Sequence, residues 1–245
     1  MSPLTLVTAT LSHPGGRTIN EDAAGPADGC WVLADGLGGH GGGEVAARIV
    51  VDTLLAAAAQ GPLTDPGALT QALLAADAAI HAHQEAEPRL ERMRTTVVVL
   101  ASDGRAAHWA HVGDSRLYHF RDGRIQFQSA DHSVPQALVK AGEIAPAEVR
   151  FHEDRNRLLR TLGNHKDLRP TLGPAPDGAP LALAPGDAFL LCTDGWWEYV
   201  TEPEMEVALA KSASPAQWLQ TMATGLLRRA PMDHDNFTAI ALFVA

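Results

Sequence analysis

A chain of 245 residues with 46% hydrophobic side chains can build a substantial core, which excludes a disordered chain. Its net charge of −10 argues against nucleic acid as the main partner. No apolar run approaches the ~20 residues of a membrane span, and the opening "MSPLTLVTATLSHPGG" lacks the basic and apolar regions of a signal peptide.

Taken in chain order, Leu4 to Leu11 alternates loosely and reads as a strand. "CWVLAD" is a nearly continuous apolar strand of the buried kind. From Gly43 the period changes. "EVAARIVVDTLLAAAAQ" reads as a helix with Val45, Ile49, Val50, Leu54 and Leu55 on one face, stopped by Gly61-Pro62. "DPGALTQALLAADAAIHAHQEAE" is a second helix, with Asp65 as N-cap and Pro66 in the first turn. The strands "TTVVVLAS", "AAHWAHV", "RLYHFR" and "RIQFQ" follow, with Asp103-Gly104 and Asp122-Gly123 as hairpin turns. Residues 134–165 mix short helical pieces, charges and histidines, and read as a mobile surface segment. "AFLLCTDG" is a further buried strand, residues 202–230 give two helical stretches, and "NFTAIALFVA" is a terminal strand. Hairpin-linked strands interrupted by helix pairs point to an α+β fold with antiparallel sheets. The two cysteines, Cys30 and Cys192, make neither a disulfide framework nor a zinc site, and read as reduced, buried thiols of a cytoplasmic protein.

An Asp-Gly pair is usually a turn. Asp35-Gly36 and Asp194-Gly195 are different, because each ends a buried strand and neither is followed by a returning one. More acids have similar settings: Glu21 and Asp22 in "RTINEDA", Asp114 in "HVGDSRLY", and Asp233 and Asp235 in "PMDHDNF". Carboxylates converging from strand ends repel one another unless something neutralises them. Hard divalent cations do so, since Mg²⁺ and Mn²⁺ take oxygen ligands and retain waters. Asp35 would then be a metal ligand, with the glycine at position 36 letting a backbone carbonyl approach without a Cβ in the way.

Six of the eight residues from Gly36 to Gly43 are glycine, and Gly36 to Gly41 formally matches the dinucleotide-binding G-x-G-x-x-G. Asp35 at its entrance would repel a pyrophosphate, and no acid follows at the end of a second parallel strand. No Gly-Lys-Ser/Thr follows either, which excludes a Walker loop.

In order, "RTINEDA", "LADGLGGHGGGEVA", "RTTVVVL", "HVGDSRLYHF", "ADHSV", "LLRTLG", "LLCTDGWWEYV" and "DNFTAIAL" resemble the metal-dependent serine/threonine protein phosphatases of type 2C, and "DGLGGH" resembles their bacterial branch. The resemblance runs from about residue 13 to the C-terminus. It implies a four-layer α-β-β-α sandwich, two antiparallel β-sheets flanked by helix pairs, as a single domain over 1–245 with a variable flap around 134–165. It implies two Mn²⁺ or Mg²⁺ ions per chain and a third, weaker site. Asp35 then resembles the bridging carboxylate, Gly36 the carbonyl ligand, and Asp194 and Asp235 the ligands of the second metal. Asp114 resembles the acid that helps Asp194 at the third site. Glu21 and Asp22 resemble acids that hold metal-bound waters, and Arg17 the arginine that binds the substrate phosphate. The family usually has Gly-Thr-Thr where this chain has Arg94-Thr95-Thr96, so the local backbone there is an open question.

The implied activity is hydrolysis of phosphoserine and phosphothreonine by a metal-activated water. Arg17 would orient two phosphate oxygens bidentately. His40 is the nearest candidate, by sequence, to protonate the leaving alkoxide, with a metal-bound water as the alternative. His132 reads as a hydrogen-bonding residue at the flap base, Trp196 and Trp197 as packing residues, and Arg116 as a partner of nearby acids. The expected partners are phosphorylated proteins and an opposing Ser/Thr kinase, and the expected state is a monomer. A catalytically silent phosphoprotein-binding module is the competing reading, but such a module should have lost its metal aspartates, and every position is filled here.

Overall fold

The computed structural model describes residues 2–38, 42–164, 167–174 and 179–245. Strands β1 (Leu6–His13), β2 (Asp22–Ala27) and β3 (Cys30–Leu37) lead into helices α1 (Gly42–Gln60) and α2 (Pro66–Ala86). Next come β4 (Arg94–Thr95), β5 (Val97–Ser102), β6 (Ala106–Val112), β7 (Arg116–Arg121) and β8 (Arg124–Gln128). Helix α3 (Val134–Ala141) and a 3-10 turn over Pro146–Phe151 open the flap segment. The chain closes with β9 (Thr171–Gly173), β10 (Leu181–Ala182), β11 (Ala188–Cys192), α4 (Asp194–Trp197), α5 (Glu202–Ala210), α6 (Pro215–Arg229) and β12 (Phe237–Val244).

Local chemistry explains the boundaries. Asp65 caps α2 by accepting from the Ala68 N–H at 2.9 Å, with Pro66 in the first turn. Ser214 caps α6 in the same way through the Gln217 N–H at 3.2 Å. Asp122 and Gly123 both take positive φ, 53° and 71°, which a two-residue hairpin loop requires, and they join β7 to β8.

The strands form two antiparallel sheets. One has the order β1-β12-β11-β7-β8, and the other β10-β6-β5-β3-β2, with β4 added to β3 and β9 to β6. Period-two alternation divides their side chains among three cores. Trp31, Leu33, Val98, Leu100, Trp109, Leu117, Phe189, Leu191 and Ile240 meet between the sheets. Cys30, Val32, Ala34, Val97 and Val99 face the opposite way, against Val50, Leu54, Leu69 and Leu73 of α1 and α2. Tyr118, Phe120, Leu190, Cys192 and Ala239 pack on Trp196, Met205, Trp218 and Met222 of the C-terminal helices. Three cores between four layers make the α-β-β-α sandwich. Truncating Leu191 at the central layer to alanine would cost about 3 kcal/mol.

Several elements differ from the sequence reading: the short strands β9 and β10 are additional, and "AFLLCTDG" is a strand only to Cys192, with Asp194 opening α4. β2 was not expected, because "DAAGPA" carries a glycine and a proline and no clear alternation. The buried face of α1 is Ala46, Ala47, Val50, Val51 and Leu54, while Val45, Ile49 and Leu55 are half-buried at its edges. The small alanines let the helix lie close to the sheet, so the larger side chains were a poor guide to the face.

Candidate active site

The acids singled out in the sequence sit where strands of both sheets end. Asp35 lies near the end of β3 and pairs in register with Asp22, the first residue of β2. Asp114 lies where the chain passes from β6 in one sheet to β7 in the other. Asp194 follows β11, and Asp235 precedes β12. A cavity of about 470 Å³ is lined by Arg17, Glu21, Asp35, Gly36, Asp114, Asp194 and Asp235. Asn156 and Leu158 of the flap segment form part of its wall. Asp22 does not line it. Its buried carboxylate sits behind, accepting from Thr193 Oγ1 at 3.1 Å. His40 lies outside the described residues.

The backbone around Asp35 is clamped by Thr95 of β4 and by Thr96, which joins β4 to β5. The Asp35 N–H donates to Thr96 Oγ1 at 3.1 Å, and its carbonyl accepts from the Thr96 N–H at 2.9 Å and from Thr95 Oγ1 at 2.7 Å. Gly36 pairs with Thr95 and Leu37 with Arg94, so an arginine at position 94 leaves this ladder intact. A Cβ at Gly36 would run into the backbone carbonyls of Gly43 and Glu21. The close approach that demands glycine here is therefore made by the chain itself, at the start of α1.

Asn236 performs a similar task for the loop between β1 and β2. Its Nδ2 donates to the carbonyls of Pro14 at 2.8 Å and Ile19 at 3.0 Å, and its Oδ1 accepts from the Glu21 N–H at 2.8 Å. A Cβ at Gly15 would collide with the Asp235 carbonyl, and Gly15 has a positive φ of 63°. This contact brings Arg17 to the cavity, where its Nη2 donates to Asp235 Oδ2 at 3.1 Å. The arginine side chain stays 54% exposed, and this is its one ion pair among the described residues.

The electrostatics are unbalanced. Burial holds the Asp35 carboxyl well above the ordinary range, and the charges of Asp22, Asp194, Asp114 and Asp235 push it the same way. Burial and then Asp194 raise Asp114. Burial raises Asp194 to about 7, helped by Glu198 and Asp235, although a hydrogen bond with Asp35 pulls the other way. Asp22 is also pushed up to about 7, mainly by burial, against hydrogen bonds from Thr238 and Thr193. Glu21 is raised by burial and by Asp235. Arg17 is the only cation lining this cavity among the described residues.

This donor set fits hard divalent cations. Among the described residues it offers carboxylates and a glycine carbonyl and no thiol or imidazole, and behind it a buried Asp22 Oδ1 finds no hydrogen-bond partner. Among the described residues no three His, Cys, Asp or Glu side chains already converge on a single ion position. The set therefore fits ions that keep part of their water shell better than a closed cage.

Several supporting residues lie inside the quoted motifs but have no role that the sequence assigns. Asn236, Thr193, Thr95 and Thr96 act through partners far away in the chain, and a threonine or asparagine beside a strand is commonplace. Other readings hold. Arg116 is buried and chelates Asp131 through two hydrogen bonds of 2.8 Å. Trp196 and Trp197 are buried, and Trp197 Nε1 also donates to the Asp114 carbonyl at 2.9 Å. His132 Nδ1 accepts from the Gly113 N–H at 3.1 Å, and its Nε2 meets Thr171 Oγ1 at 2.8 Å. Ion pairs tie the flap segment to the chain around α4 and α5: Arg150 pairs with Glu202 at 2.7 Å and Arg155 with Glu198 at 2.6 Å. The dinucleotide reading fails on topology, since β3 has antiparallel neighbours on both sides.

Comparison with known proteins agrees with this geometry. The family described as Protein phosphatase 2C matches residues 11–227. The serine/threonine protein phosphatase PstP of Mycobacterium tuberculosis is 36% identical over 198 residues, covering 79% of this chain. That alignment spans only 36% of the Mycobacterium protein's length. Protein phosphatase PhpP of Streptococcus pneumoniae is 28% identical over 195 residues, 78% of this chain and 76% of that protein. Among solved structures, the catalytic domain of PstP in complex with two manganese ions superposes with a TM-score of 0.86 at 32% identity, covering 99% of each chain. PppA, a regulatory component of the type VI secretion system in Pseudomonas aeruginosa, superposes at 0.82 with 30% identity over the whole of both chains. This chain belongs to the protein phosphatase 2C family.

Proposed function

We propose that this chain is a protein serine/threonine phosphatase, hydrolysing phosphoserine and phosphothreonine with two Mn²⁺ or Mg²⁺ ions and a weaker third. The observation that carries the reading is the meeting of Asp35, Asp114, Asp194 and Asp235, from both sheets, at one cavity beside a single guanidinium. Asp35, Asp194, Asp235 and the Gly36 carbonyl would hold the two ions, Asp114 with Asp194 the third, and Glu21 and Asp22 their waters. When bound, such ions neutralise the carboxylates, polarise a phosphoryl oxygen and lower the pKa of a water.

The chain's own groups do the rest. Arg17 is exposed and held by one hydrogen bond, so its remaining donors are free to grip two phosphate oxygens and orient the ester for in-line attack. Leu37 and Leu158 line the wall and limit water around the bound ester. His40 is assigned to protonate the leaving alkoxide, on its place in the glycine loop after Asp35.

The reading extends to the setting. Residues 1–245 act as one catalytic domain, with the flap around 134–165 as its variable part, and the chain works as a monomer. Phosphorylated proteins are its substrates, and a Ser/Thr kinase opposes it. The cytoplasm is its compartment: Cys30 and Cys192 are free and buried, and burial pushes the Cys30 thiol up to about 12. Among the described residues no helix is long and apolar enough to cross a membrane.

The test is Mn²⁺-dependent hydrolysis of p-nitrophenyl phosphate and of a phosphothreonine peptide. Asp35→Asn should lower both by at least about 10²-fold and abolish the rise in Tm that Mn²⁺ gives the unaltered chain, with the circular dichroism spectrum unchanged. Full activity in that variant would overturn the reading.

A further inference from the structure

A second cavity lies beside the reaction pocket. It has a volume of about 480 Å³, and its walls include Leu159, Arg160, Asn164, Asp167 and Arg169. The preceding residue, Leu158, lines the reaction pocket. Leu158 bridges to Ser133 and Leu162 to Thr95, so the stretch between them is held at both ends next to the reaction pocket. Two residues of chain span at most about 7 Å, so Arg160 cannot lie far from Leu158. A side chain a few positions from a phosphoserine seated in the pocket therefore comes within reach of this cavity.

Its charge is unusual for this molecule. The net charge is −10, and most of the arginines around the flap are matched to acids: Arg116 to Asp131, Arg150 to Glu202, Arg155 to Glu198. Arg160 and Arg169 are both exposed and form no ion pair among the described residues. Lys140 adds to the same region, since it and Arg160 both lie within Coulombic reach of His111 and His132. Asp167, also on the wall, offsets one of these charges and leaves the cavity positive.

The head of Arg160 is already oriented. Its Nη1 donates to the Arg169 carbonyl at 3.1 Å and lies 3.4 Å from His132 Nε2. Nε and Nη2 make no hydrogen bond among the described residues, leaving one edge of the guanidinium fork for a carboxylate or phosphate. Holding the fork in advance lowers the ordering cost of binding.

We propose that this cavity is a recognition subsite, in which Arg160 and Arg169 read an anionic side chain, a carboxylate or a second phosphate, a few residues from the phosphoserine or phosphothreonine being hydrolysed. The inference rests on the phosphatase reading and narrows its substrates to phosphoproteins with acidic or multiply phosphorylated sequences around the target.

The test is a set of phosphothreonine peptides in which aspartate, phosphoserine, alanine or lysine is placed at each of the four positions on either side. The chain is assayed with Mn²⁺, and the readout is the ratio of kcat/KM for the anionic peptide to that for its alanine counterpart. At one or two positions this ratio should reach about three- to fivefold at low salt for a single exposed charge pair. It should shrink as salt screens the contact. A preference for aspartate and phosphoserine alike identifies general anion recognition, and one confined to phosphoserine identifies a phosphate subsite; either supports the inference. Arg169→Ala should bring the ratio to about one, and Arg169→Glu should turn the preference toward lysine at the same position. A ratio near one at every position, or one that both variants leave untouched, would overturn the subsite. Failure of the unaltered chain to hydrolyse p-nitrophenyl phosphate with Mn²⁺ would instead remove the phosphatase reading, and this inference with it.

Discussion

Asp187 and Asp35 are both strand-end aspartates in this fold, yet their carboxyl groups are displaced in opposite directions. Burial would push Asp187 up, but two 2.7 Å hydrogen bonds from Arg121, one of 2.9 Å from the Ala184 N–H and the charge of His119 outweigh it, and its carboxyl ends below the ordinary range. At Asp35 burial and neighbours of its own sign push the same way, and its carboxyl ends well above that range. Where the chain supplies its own counter-charge, a buried acid is part of the architecture. Where it surrounds an acid with other acids, the counter-charge has to come from outside.

The largest effect expected from breaking this contrast is at the pocket. Asp194→Asn should lower Mn²⁺-dependent phosphatase activity by at least about 10²-fold. With a chelator present it should raise unfolding stability by about 1 kcal/mol, because one of the repelling carboxylates is gone. Denaturant unfolding alongside the activity assay checks both signs. A loss of stability together with the loss of activity would place Asp194 with the structural acids.

At the matched site the pattern should invert. Arg121→Met strands the buried Asp187 carboxylate and should cost about 2 kcal/mol, read from urea unfolding, with little change in kcat. Asp187 also has a pH signature. Its folded-state pKa is depressed, so its stabilisation is fully present above the ordinary value of about 4 and is lost as pH falls through the depressed one. Arg121→Met should flatten this acid limb. A limb equally steep in both proteins would mean that other carboxylates carry it.

The smallest expected effect lies where the two kinds of site touch. Trp197→Phe keeps an aromatic ring under Arg116, whose guanidinium carbon lies 3.6 Å from the ring centroid, but removes the donor to the Asp114 carbonyl. The cost in stability should be about 1 kcal/mol. Calorimetric titration with Mn²⁺ should show the weakest binding event affected and the tighter ones spared.

Much of this was legible in the sequence because the relevant signals are local. Hairpin loops at Asp103-Gly104 and Asp122-Gly123, the Asp65 cap and the period-two strands are all short-range devices, and β6, β7 and β8 begin and end where the sequence reading put them. The acids were legible as well, since an aspartate at the end of a buried strand is conspicuous. β2 was not, because its ladder depends on β3 and not on its own composition. Nor was the division between Asp22, which sits behind the cavity, and Glu21, which lines it. Adjacent residues at a strand start point opposite ways, and only the register decides which one reaches the opening. The roles of Asn236 and of the threonine clamp arise from contacts across the fold and leave no trace in local pattern.

The passage of the chain from β6 to β7 has one more consequence. Asp22 and Asp35 belong to one sheet, Asp194 and Asp235 to the other, and Asp114 to the joint between them. Neither half owns a complete cavity, so the opening exists only once the two sheets have docked through Leu33, Phe189 and Ile240. Cation affinity is therefore a gauge of that docking, and damage deep in the central layer should surface first as weakened ion binding, well before the molecule melts.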